Sequence, residues 1–155
     1  METFNSVVKT IWITDDDPDD LSFFQEAIKE IDPSAHLATI SSGEELLNKL
    51  STLPAPDLLF LDISMPCKTG HDCVKEIRSQ NQFRSLPIVI YSSSPNPLDI
   101  TYSYGLGANL YLRKPLKYQD IVLLLRKVLQ LDWSKPQEIM NAMFVSGNYV
   151  PFTAQ

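Results

Sequence analysis

The stretch Leu58-Leu59-Phe60-Leu61-Asp62, followed by Ile63-Ser64-Met65-Pro66, decides how this chain is read. Four consecutive apolar residues form the pattern of a strand buried on both faces. Such a strand seldom ends in a carboxylate, because an unpaired charge taken out of water is costly. Asp62 therefore either caps the turn before Pro66 or faces a polar site at the edge of a sheet. The choice depends on what other strands bring to the same place.

Toward the N-terminus, Pro54 and Pro56 close a helical segment carrying Leu46, Leu47 and Leu50. Ser42, with Glu45 three residues on, reads as its capping box. His36–Ile40 is a short strand, set off by Pro33 and Ser34. Leu21, Phe24, Ile28 and Ile31 recur at helical spacing, with Asp17 as N-cap and Pro18 in the first helical position. Asp19 and Asp20 suit the positive end of that helix dipole. Val7–Thr14, rich in β-branched and aromatic residues, reads as the first strand. Capping explains Asp17, Asp19 and Asp20 better than Asp15 and Asp16, which sit at the strand end.

Toward the C-terminus, Gly70 allows a turn, and Val74 and Ile77 mark a third helix. Pro87–Tyr91 is a fourth strand that ends in Ser92-Ser93-Ser94. Asn96-Pro97 caps a weakly patterned helix running toward Gly105 and Gly107. Asn109–Arg113 is a fifth strand ending at Lys114-Pro115, and a last helix is expected over Tyr118–Leu131. Five strands alternating with five helices imply an α/β domain: a doubly wound parallel sheet with helices on both faces. Ligands of such sheets sit beyond the carboxyl ends of the strands. Asp15, Asp16, Asp62, Ser92 and Lys114 all fall at those ends.

At 155 residues and 44% hydrophobic content, the chain fits one domain with a substantial core. A net charge of -6 argues against an extended nucleic-acid surface or attraction to acidic lipid. Cys67 and Cys73, with only two histidines, do not make a zinc site and fit a reducing compartment. Met1–Asn5 lacks the basic and apolar regions of an export signal, and no apolar run reaches the roughly 18 residues of a membrane span. A soluble, cytoplasmic protein is expected.

Three carboxylates in one crevice raise one another's pKa, and a divalent cation relieves the conflict. Mg²⁺ prefers oxygen ligands and a phosphate partner. Lys114 as a point charge and Ser92 as a donor complete a phosphate site, with Asp62 as a nucleophile toward phosphorus.

Asp15-Asp16, Asp62 with Met65-Pro66 and Gly70, Ser92, and Lys114-Pro115 together resemble the response-regulator receiver domain over about Val7–Leu131. The resemblance implies a flavodoxin-like fold with strand order 2-1-3-4-5. It implies that Asp62 accepts a phosphoryl group from a phosphohistidine on a partner kinase or phosphotransfer protein. Asp16 and Asp62 would bind Mg²⁺ directly, Asp15 largely through water, and the backbone carbonyl of Ser64 would be a further ligand. Lys114 would contact a phosphoryl oxygen, with Ser92 and Tyr111 as the switch pair, Tyr111 turning inward on phosphorylation. The implied protein signals to a downstream protein target and is not an enzyme, beyond assisting its own phosphorylation and dephosphorylation.

Two rivals stand beside this reading. Asp15-x-Asp17 resembles the nucleophile motif of haloacid-dehalogenase-type phosphatases, although no acidic pair follows Lys114. A receiver-like interaction module that is never phosphorylated is the other. Residues 7–131 are the expected receiver domain. The extension 132–155 carries Trp133, Ile139, Met140, Met143, Phe144, Val150 and Phe152, too apolar for a disordered linker and too short for a DNA-binding output domain. Ile121, Val122, Leu123, Leu124, Leu125, Val128 and Leu129 give the last helix an apolar surface wider than one stripe. The extension is expected to cover it, or a homodimer to do so.

Overall fold

The computed structural model describes residues 7–154. Met1–Asn5, read above for an export signal, and Gln155 lie outside the described residues. The elements run β1 (Thr10–Thr14), α1 (Pro18–Ile31), β2 (His36–Ile40), α2 (Gly43–Thr52), β3 (Leu58–Leu61) and α3 (Gly70–Arg78). They continue with β4 (Ile88–Ser92), α4 (Pro97–Leu106), β5 (Leu110–Arg113) and α5 (Tyr118–Leu129). The five strands form a parallel sheet in the order β2-β1-β3-β4-β5. This is the doubly wound arrangement expected from the alternation of elements.

Strand side chains point alternately to the two faces, and this parity divides the core. Leu58 and Phe60 join Ile11, Ile13, Val89, Leu110 and Leu112 against Phe24 and Ile28 of α1 and Leu125 and Val128 of α5. Leu59 and Leu61 join Trp12, Ile88, Ile90 and Tyr111 beneath α2, α3 and α4. A sheet covered on both faces explains why β3 reads as an unbroken apolar run.

Some boundaries differ from expectation. The first strand begins at Thr10 rather than Val7, which is 75% exposed. The carboxylate of Asp57 takes the N–H groups of Lys9 (2.8 Å) and Thr10 (3.0 Å), so a side chain occupies backbone groups that a longer strand would pair. The last helix stops at Leu129 rather than Leu131, where the Trp133 indole donates to the Val128 carbonyl at 2.8 Å. Ser42 does cap α2 by accepting from the Glu45 N–H, but the Glu45 carboxylate reaches back to the N–H and hydroxyl of Ser41 instead of closing the box. The reciprocal capping box lies at α3, between Thr69 and Asp72.

Beyond α5 come α6 (Pro136–Ala142) and two short antiparallel strands, β6 (Phe144–Val145) and β7 (Asn148–Tyr149). Ser146 (φ 52°) and Gly147 (φ 85°) both adopt the left-handed conformation that a tight two-residue hairpin turn requires. Trp133 is buried with the α1/α5 core and Met140 with the core beneath α4. The chain then returns along β5, where the Phe152 N–H donates to the Tyr111 carbonyl at 2.9 Å.

Candidate functional site

Parity also places the site. Asp15 continues the Ile11, Ile13 side of β1, Asp62 the Leu58, Phe60 side of β3, and Lys114 the Leu110, Leu112 side of β5. All three therefore leave the sheet toward the α1/α5 face. Lys114 Nζ donates to Asp15 at 2.6 Å, Asp20 at 2.8 Å and Asp62 at 3.1 Å. Carboxylate oxygens of Asp15, Asp16 and Asp62 lie within 4.8 Å of one another. Asp15 and Asp62 are 1% and 5% exposed, whereas Asp16 faces solvent.

The local chain explains each position. Asp15 Oδ1 accepts the Asp17 N–H at 3.0 Å, which turns the backbone out of β1 and into α1. Asp62 Oδ1 accepts the Ser64 N–H at 3.1 Å in the same way. Asp62 thus makes both arrangements that its sequence left open, an Asx-type turn through one oxygen and a polar site through the other. Gly70 is not a left-handed turn residue: it opens α3. A Cβ there would overlap the Asp62 carbonyl oxygen and the Ile63 Cα, so glycine lets α3 pack directly under the loop that carries Asp62.

Burial is the main electrostatic fact at Asp15. It pushes the carboxyl up to about 6, against the hydrogen bonds from Lys114 and the Asp17 backbone and with help from the Asp62 charge. Burial opposes the charge on Lys114 too, but hydrogen bonds to Asp15 and Asp20 hold the ammonium above its ordinary range. The donor set of three clustered carboxylates is all oxygen and partly open to solvent through Asp16, which fits a hard divalent cation.

Asp20 is the site residue that capping logic hides. It lies in the first turn of α1, as expected, yet its carboxylate closes on Lys114. The signal was available: Asp20 precedes Phe24 by four residues, in line with the buried Ala27, Ile28 and Ile31. Asp17 is a helix cap, accepting from the Asp19 and Asp20 N–H groups.

Ser92 and Tyr111 fall on the opposite parity, with the α4 side of the sheet. Both are fully buried. The Tyr111 ring is already directed inward, and its hydroxyl donates to the Ser94 carbonyl at 2.8 Å. Ser92 Oγ accepts the Ser94 N–H at 3.1 Å. Ser64 is exposed beside Asp62. A groove of about 300 Å³, lined by Asp20, Phe23, Tyr91, Lys114, Leu116 and Tyr118, opens next to the carboxylates. A larger one of about 810 Å³ lies beyond the other ends of the strands, between Ala55, Ser85 and Trp133, and contains none of these site residues.

No helix among the described residues is long and apolar enough to cross a membrane. The family profile for the response regulator receiver domain matches residues 11–126. The transcriptional regulatory protein CpxR of Klebsiella pneumoniae (strain HS11286) is 31% identical over 133 residues, covering 85% of this chain and 54% of that protein. The chain thus spans about half the length of that relative. The response regulator Rcp1 of Synechocystis (strain PCC 6803) is 27% identical over 119 residues, covering 73% of this chain and 81% of that protein. The crystal structure of the phosphorylated cyanobacterial phytochrome response regulator RcpA superposes with a TM-score of 0.73 at 27% identity, covering 79% of this chain and 91% of that one. With the sheet order, the acidic cluster and the profile in agreement, this chain belongs to the response regulator receiver domain family.

Proposed function

We propose that this protein receives a signal as a phosphoryl group on Asp62, donated by a phosphohistidine of a sensor kinase or histidine phosphotransfer protein. The observation that carries the reading is the convergence of Asp15, Asp16 and Asp62 around Lys114 at the carboxyl ends of three strands. In the transfer, a carboxylate oxygen of Asp62 attacks phosphorus and the P–N bond to histidine breaks. The imidazole leaves with the bonding electrons and takes up a proton, and the product is an acyl phosphate on Asp62.

Each residue has a role in this reading. Asp15, Asp16, Asp62 and the Ser64 carbonyl would hold Mg²⁺, which when bound screens the charge between carboxylate and phosphoryl oxygens. Lys114, within hydrogen-bond reach of Asp62, would exchange a carboxylate for a phosphoryl oxygen. Ser92 would donate its hydroxyl to another. Ser92 and Tyr111 form the switch that changes the α4–β5–α5 face toward a downstream protein. Exposed Phe23 and Leu116 flank the groove beside Lys114 and give a histidine-bearing helix an apolar place to rest. The phosphatase reading is the weaker, because its second aspartate, Asp17, is spent as a helix cap.

Residues 7–131 serve as the receiver domain, and the residues that follow Leu131 extend it. The site works in the cytoplasm, where a kinase and Mg²⁺ are both present.

Incubation with acetyl phosphate and Mg²⁺, followed by intact-mass measurement, tests the assignment. The wild type should gain about 80 Da, the mass of one phosphoryl group, and Asp62→Asn should gain nothing. An adduct that persists in Asp62→Asn would remove Asp62 from its role.

A further inference from the structure

Tyr111 is where the candidate site and the C-terminal segment meet. Its side chain points into the protein, with the hydroxyl on the Ser94 carbonyl at 2.8 Å, next to the Ser94 N–H that holds Ser92 Oγ. Its backbone faces the other way, along the outer edge of β5. There the Tyr111 N–H donates to the Tyr104 hydroxyl at 3.0 Å, and its carbonyl accepts the Phe152 N–H at 2.9 Å. The Tyr104 hydroxyl donates its own proton to the Val150 carbonyl at 3.1 Å. Its ring stacks on Tyr149, with centroids 4.6 Å apart and planes 13° from parallel.

One hydroxyl therefore joins three elements. A phenol has one proton to give and lone pairs to accept with, so both hydrogen bonds can exist together. Phenylalanine fits the same space, but it would leave the buried Tyr111 N–H without its acceptor. An edge strand of a sheet offers unpaired N–H and carbonyl groups, and here residues 150–152 of the same chain take them up, directly or through Tyr104. A Tyr111 ring withdrawn from the core would swing out over the β5 edge, the side that residues 150–152 and the Tyr104–Tyr149 stack occupy, so an outward ring and a docked segment compete for the same space. Two events that favour one position of Tyr111 favour each other, and to the same degree.

We infer that Tyr104 is a positioning residue that couples docking of the segment 149–154 on β5 to the state of Tyr111, and through Ser94 and Ser92 to the phosphoryl site at Asp62. The inference rests on the receiver reading of Asp62. The docked segment holds Tyr111 inward, so phosphorylation and docking stabilise one another.

Beryllofluoride with Mg²⁺ serves as the phosphoryl mimic, added to the full-length wild type and to full-length Tyr104→Phe. Amide hydrogen exchange reads the segment, and a titration reads the affinity. In the wild type, the mimic should slow exchange at the Tyr111 and Phe152 amides. In Tyr104→Phe, binding should weaken about fivefold, at the low end of ordinary coupling between sites, and the slowing at Phe152 should disappear. Phe152→Pro removes the donor to the Tyr111 carbonyl without touching α4 and should weaken binding likewise, which covers the case in which Tyr104→Phe folds poorly. Unchanged affinity in the folded variants, or exchange at Phe152 indifferent to the mimic in the wild type, overturns the inference alone. A wild type that takes neither beryllofluoride nor a phosphoryl group overturns the receiver reading, and the inference with it.

Discussion

Lys114 and Tyr111 lie on the same short stretch of β5 and its exit, yet they close two regions of opposite character. At Lys114, one ammonium is held by three carboxylates, two of them buried. At Tyr111, the closure is neutral: a phenol, two backbone hydrogen bonds, and the rings of Tyr104 and Tyr149. The charged region carries more negative groups than its single cation balances, so it is arranged to receive another cation. The neutral region has its hydrogen bonds satisfied within the chain. The proposed function draws on both, a site left electrostatically incomplete and a packed edge to register its completion.

The contrast can be broken most sharply at Lys114. Lys114→Ala should cost about 3 kcal/mol of stability in metal-free buffer, the order seen when one partner of a buried ion pair is removed. A shift of the urea midpoint measures it, and added Mg²⁺ should recover part of the loss by supplying the missing charge. A midpoint equal to that of the wild type would mean that the cluster tolerates its own repulsion.

On the neutral side, Phe152→Ala should cost about 1–2 kcal/mol, less than a fully buried phenylalanine because the ring is only partly covered. That loss should be indifferent to Mg²⁺ and to salt, since no charge is involved. A salt-dependent loss would show that the two regions are not energetically distinct.

The smallest expected effect is that of pH. Burial raises the Asp15 carboxyl from 3.8 to about 6, so between those values the folded protein holds a proton that the unfolded chain releases. Stability from this group is therefore present at low pH and lost as pH rises through about 6. Relative to Asp15→Asn, the metal-free wild type should gain about 1 kcal/mol on going from pH 7 to pH 5. Parallel urea titrations at the two pH values give the difference, and a gain of the opposite sign would contradict the burial argument.

Most of the sheet was legible because its signals are local. The apolar run at Leu58–Leu61, Pro18 and Pro97 in the first turns of helices, and the caps at Asp17, Ser42 and Asn96 each follow from short-range sterics and hydrogen bonding. The acidic site was legible in part for the same reason, since strand ends follow from strands. Asp20 was half visible: its place in the first turn of α1 was clear, its closure on Lys114 was not. Gly70 in the sequence suggests freedom to turn, whereas its constraint is the closeness of α3 to Asp62. A contact across the fold leaves no spacing pattern.

The sequence by itself determined the order and type of the main elements, the two-sided burial of the sheet and the strand ends that carry carboxylates, hydroxyl and lysine. Period and propensity act over a few residues, and a strand's direction delivers its last residue to the sheet edge. Only the tertiary structure decided that Asp15, Asp62 and Lys114 share one face while Ser92 and Tyr111 share the other. It alone seated the segment after β7 on Tyr111, where Tyr104 and Phe152 close the β5 edge. Those arrangements depend on packing between residues distant in the chain, where the gain from burial and from satisfying backbone groups chooses among many folds that the local signals allow.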